Sequence, residues 1–112
     1  MGEEIILTPI TKGVAVHAVP NENNKDPYAG EWILLVSHTS INLQGELVAY
    51  RYASIRLNGH ITLGPSKKPI LWGKVNNYIF YVATKEEKKQ LRDLLLEHNM
   101  KYIKSINKLI DR

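Results

Sequence analysis

Glu46–Leu63 (ELVAYRYASIRLNGHITL) constrains the fold more than any other stretch. It reads as a long strand, a tight turn at Asn58-Gly59 and a return strand, because Asn-Gly between alternating segments is a strong hairpin signal. A two-residue loop would set Leu57 opposite His60 and Arg56 opposite Ile61, mixing polar with apolar on both faces. A three-residue loop, Leu57-Asn58-Gly59 with Gly59 left-handed, pairs Arg56 with His60, Ile55 with Ile61, Ser54 with Thr62 and Ala53 with Leu63. Side chains alternate with period two, so only the second register gives two consistent faces. One face, Ala53, Ile55, Ile61 and Leu63, goes to the core. The other carries Tyr50, Tyr52, Ser54, Arg56, His60 and Thr62. That face is either a solvated sheet surface or a site for something anionic and flat.

The rest of the chain supplies further strands. Glu4–Thr8 is a short apolar run stopped by Pro9, and Gly13–Val19 alternates strictly, so the two are expected to form a hairpin across Thr11-Lys12-Gly13. His17, alone in an apolar strand with no ligand-type residue two positions away, is expected to be a satisfied core or edge histidine. Pro20–Gly30 is a loop, rich in Asn, Pro and charge. Glu31–Val36 is a continuous apolar run, hence a strand buried on both faces. His38–Gly45 reads as a polar turn region. Gly64–Pro69 is a second loop with Lys67 and Lys68 at its tip. Ile70–Val75 and Tyr78–Ala83 are strands joined by Asn76-Asn77 as a tight hairpin, with Gly73 marking a bulge.

Thr84 begins a different regime. Thr84-Lys85-Glu86-Glu87 is a capping box, and Leu91, Leu94 and Leu95 follow at helical spacing. Asn99 suits a left-handed helix end. Met100–Asp111 repeats a helical pattern through Tyr102, Ile103, Ile106, Leu109 and Ile110, although Lys101–Lys104 also suits a strand. The fold class expected is therefore α+β. It is a small antiparallel β-barrel or strongly curved sheet of about six to seven strands with a C-terminal helical cap. Residues 1–83 are mainly β and 84–112 helical, in one domain. The order of elements is similar to that of pleckstrin-homology-like barrels, in order alone, and fold analogy carries no function.

Composition narrows the chemistry. With 112 residues and no cysteine, the chain has room for a core but no disulfide, thiol nucleophile or Cys-based zinc site. No apolar run is long enough to span a membrane, and the acidic start lacks a secretory n-region, so a cytoplasmic protein is expected. Charge is uneven. Residues 1–50 hold two lysines against six acidic residues, net −4, and residues 51–112 hold thirteen cations against five acids, net +8. A basic half of this kind meets phosphates or acidic partners.

His38-Thr39-Ser40-Ile41 and His60-Ile61-Thr62-Leu63 both read His-x-Ser/Thr-aliphatic, and the pair resembles the signature of 2H phosphoesterases. In a strand, positions i and i+2 share a face, so imidazole and hydroxyl converge on one phosphoryl group. The resemblance covers eight residues. It implies His38 and His60 as acid and base, with Ser40 and Thr62 holding phosphate. No other catalytic motif is present, and no cofactor or metal site is read from the four histidines.

The nucleic-acid reading uses more of the chain. Tyr50, Tyr52, Arg56 and His60 share a face on which bases can stack, and Lys67, Lys68 and Lys74 can hold backbone phosphates. The expected function is thus binding of RNA or DNA by a small basic protein, without catalysis. The alternatives are a protein-interaction or homo-oligomerisation module and the phosphoesterase.

Overall fold

Nine elements follow one another in the computed structural model, which describes residues 1–57 and 63–112. They are β1 (Glu4–Ile5), β2 (Lys12–Pro20), β3 (Trp32–Ile41), β4 (Leu47–Arg56), β5 (Ile70–Lys74), β6 (Tyr78–Val82), α1 (Lys85–Glu97), β7 (Met100–Ile103) and β8 (Lys108–Asp111). The first six strands form one antiparallel sheet in the order β1-β6-β2-β3-β4-β5, and β7 and β8 form a separate hairpin. Among the described residues no helix is long and apolar enough to cross a membrane.

The centre of the sheet follows from its residue pattern. In β3, Ile33 and Leu35 point to one side and Leu34 and Val36 to the other, and all four are buried. The strand runs on through His38 to Ile41, where a polar turn was expected, and turns back at Asn42. There the Asn42 Oδ1 accepts the amides of Gln44 and Glu46, which forms the reversal locally.

The expected barrel does not close. Ile70–Val75 and Tyr78–Ala83 are not a hairpin, because the 3₁₀ turn Val75–Asn77 between them sends each strand to a different neighbour. β5 pairs with β4, and β6 pairs with β2 and β1. The gap between β5 and β6 carries ring packing in place of ladder hydrogen bonds. Trp72 lies 4.4 Å from Tyr78 and 6.0 Å from Phe80, centroid to centroid. β1 correspondingly pairs with β6 and not with its chain neighbour β2, since Pro9 and the turn after it break the path of a tight hairpin.

The turn and most of the return strand expected after Arg56 lie at residues 58–62, outside the described residues. Leu63, expected in the core, is 41% exposed and belongs to no strand. Among the described residues β4 is flanked by β3 and β5, with Arg51 opposite Ile70. Pro65 and Pro69 lack the donors that a ladder across 63–69 would need.

One side of the sheet is covered by α1 and the β7–β8 hairpin. Thr84 and Glu87 form both bonds of the capping box, and Leu91, Leu94 and Leu95 are buried against Ile33, Leu35, Tyr52 and Ala53. Each such leucine contributes roughly 1.5–3 kcal/mol by leaving water. Asn99 takes a left-handed φ of 54° and ends the helix. The chain then forms a hairpin where a second helix was expected. A second left-handed asparagine, Asn107 at φ 47°, turns it back, and Met100, Tyr102 and Leu109 face the core.

Candidate functional site

Three extra residues decide which side chains meet on the sheet. Leu35 pairs with Ala53 and Val36 with Arg51, so Tyr52 is an unpaired bulge residue in β4. Ser37 is its counterpart in β3, and Trp72 in β5. The bulge shifts the alternation by one. Tyr52 joins Ala53 on the helix side, and Arg51 comes onto the face of Ser54 and Arg56, despite a spacing of five. Strict alternation would have set the two arginines on opposite faces.

On that face lies a cavity of about 330 Å³. Its walls are Trp32, Trp72 and Tyr78 with Tyr28, Ala29 and Gly30 of the long loop, and its polar groups are Arg51 and Arg56. Arg51 is only 5% exposed. Its Nη1 donates to the Gly64 carbonyl at 3.0 Å, and no carboxylate lies within 4 Å of it among the described residues. Burial pushes its pKa down, yet a guanidinium stays charged in proteins. Arg56 lies 5.9 Å from the Trp32 ring centre and donates through Nη2 to the Tyr28 carbonyl. Its Nε is buried without a partner. A Cβ on Gly30 would fall 2.7 Å from that nitrogen, so the glycine leaves room for the guanidinium. Ser54, between the two arginines in the strand, has a buried hydroxyl that is also without a partner among the described residues. Asp26 is the one carboxylate in the wall, and its Oδ1 accepts the Tyr28 amide.

Two fixed cations beside aromatic rings suit an anion attached to a flat ring. A buried charge lacking a counter-charge is costly, and a bound anion would offset that cost. Buried polar groups are normally satisfied, so two neighbouring deficits among the described residues, Ser54 Oγ and Arg56 Nε, mark this face.

The other expected site residues do not gather. Tyr52 is buried and gives its hydroxyl hydrogen to the Asn107 carbonyl at 2.7 Å. The bulge therefore removes it from the Tyr/Arg face on which the strict alternation had put it. Tyr50 pairs with His38 and stacks on it, 4.6 Å apart at 6°. Lys67 is paired with Asp111 at 2.7 Å and Lys74 with Glu46 at 2.9 Å, while Lys68 is exposed. The hydrogen bond from Lys74, then that from Asn42, holds the Glu46 carboxyl below its usual range. Of the paired His-x-Ser/Thr motifs, His38 contacts Ser37 Oγ and Ser40 sits opposite Val48. His60 and Thr62 lie outside the described residues.

Sequence reasoning missed Arg51. The available signal was an arginine inside an otherwise apolar strand, Leu47–Ala53. It also missed that Glu31 and Glu87 converge on His17 from the loop and the helix, at 2.8 and 2.6 Å. Burial pushes the Glu87 carboxyl up, but hydrogen bonds from Thr84 and His17 bring it, on balance, below its ordinary value. No group of three potential metal ligands occurs among the described residues. No protein-family model, curated protein or solved structure matches the chain.

Proposed function

We propose that the chain binds single-stranded nucleic acid, taking one nucleotide unit in the Arg51–Arg56 cavity. The observation that carries this reading is the buried guanidinium of Arg51, which has a carbonyl partner but no carboxylate among the described residues. Phosphate would occupy the space beside Arg51 and Arg56, and a base would lie against Trp72 or Tyr28. Lys68 and the basic second half of the chain support the neighbouring phosphates.

Fluorescence anisotropy with labelled oligonucleotides at two salt concentrations tests it. Saturable binding with single-strand preference is expected, weakening linearly in log salt. Arg56→Ala and Trp72→Leu should each weaken binding by about tenfold or more, in line with charge-assisted bonds and base stacking. Unchanged affinity in both variants would end the assignment. A second reading, strand addition by a protein partner or a second copy, draws on β5. It is an edge strand whose Ile70 and Leu71 are exposed. Concentration-dependent sedimentation lost on Leu71→Lys would favour it instead.

A further inference from the structure

A larger cavity, about 720 Å³, lies on the opposite side of the sheet, between α1, β7 and strands β1, β2, β3 and β6. Its volume falls in the range of small-molecule sites. The floor is apolar: Ala15, Leu35, Leu91 and Leu95, with Val82 and Leu96 at the mouth. Leu35, Leu91 and Leu95 are 6, 4 and 5% exposed, whereas Val82 and Leu96 are 37 and 48% exposed. The apolar lining therefore runs from buried residues to half-exposed ones.

The rim has one sign. Lys88 and Arg92 of α1 and Lys101 and Lys104 of the following hairpin line it, and none has a carboxylate within 4 Å among the described residues. The single acid, Asp93, is already paired with Lys89 at 2.9 Å. Apolar depth and a cationic mouth together specify an amphiphile with a negative head.

We propose that this cavity binds a free long-chain carboxylate, with the acyl chain against Leu35, Leu91 and Leu95 and the head at Arg92 and Lys104. The full chain is titrated with a conjugated-polyene fatty acid whose fluorescence rises on leaving water, and the probe is displaced by saturated C8, C12 and C16 carboxylates and by hexadecanol. Affinity should rise about threefold to fourfold per added methylene until the cavity is full. Arg92→Glu with Lys104→Glu should weaken carboxylate binding about tenfold and leave hexadecanol unchanged. Ala15→Phe, which fills the floor, should abolish probe binding while a cooperative thermal transition shows the fold retained. Affinity independent of chain length in the unaltered protein would overturn the proposal, whatever the variants do. So would equal losses for acid and alcohol on charge reversal, or binding of an acidic amphipathic peptide with no binding of any free fatty acid.

Discussion

The two sides of the sheet treat their polar groups differently. On the helix side the buried ones among the described residues are answered. His17 meets a carboxylate at each ring nitrogen, Tyr52 donates to the Asn107 carbonyl, and the Asn107 side chain accepts from Tyr102 and donates to the Ser37 carbonyl. On the far side Ser54 and the Arg56 Nε are unanswered, and Arg51 has charge without counter-charge. Hydrogen bonds that are complete fix a structure, and incomplete ones leave free energy for something not yet bound. The buried polar groups of the helix side are therefore parts of the scaffold, and those of the far side are the ones the proposed site draws on.

Substitutions separate the two. Leu95→Ala on the helix side should cost about 2–5 kcal/mol in chemical denaturation, because the sheet and α1 cannot fully collapse on the space left. A folded Leu95→Ala protein should still bind oligonucleotide as before. Arg51→Met on the far side should do the reverse. An apolar side chain of similar length removes an unpaired buried charge, so stability is maintained or raised, while oligonucleotide affinity falls about tenfold or more. A large loss of stability with Arg51→Met would make that residue scaffold and collapse the contrast.

Thr84→Ala removes one arm of the capping box and should cost about 1 kcal/mol, with a matching fall in thermal midpoint and no effect on far-side binding. The smallest effect is in acid. The Glu87 carboxyl is held below its ordinary value, so its contribution is complete above that value and is lost as pH falls through it toward the lower folded value. Glu87→Gln should flatten that part of the stability–pH curve. An identical curve in the variant would assign acid sensitivity elsewhere.

The sequence revealed elements better than partners. The strands at Gly13–Val19, Glu31–Val36 and Ile70–Lys74, the capping box and the Leu91–Leu95 stripe are all encoded within a few residues, where period and capping chemistry act. Pairing is not. Nothing near Glu4 says that its partner is Tyr81, and Asn76-Asn77 looks like a hairpin turn until the 3₁₀ geometry is seen. The last segment was ambiguous because Ile103 and Ile106 complete a helical period, whereas Asn99 and Asn107 at positive φ decide for a hairpin. The candidate site was half legible. Arg56 was visible as a charged strand residue, but Arg51 reached the same face only through the bulge at Tyr52, and no local pattern announces a bulge without a glycine.

The strand order also bears on how the chain reaches its folded state. β2, β3 and β4 pair with their sequence neighbours, so this meander can form early. β6 must then return past all of them to reach β2, and β1 waits until β6 is in place. Contacts between distant parts of a chain carry the loop-closure entropy that slows folding. The β1–β6 pairing is accordingly expected to form late, so substitutions at Ile5 or Phe80 should act mainly on the unfolding rate, whereas those at Ile33 or Ala53 should slow folding itself, which the two arms of a chevron would show.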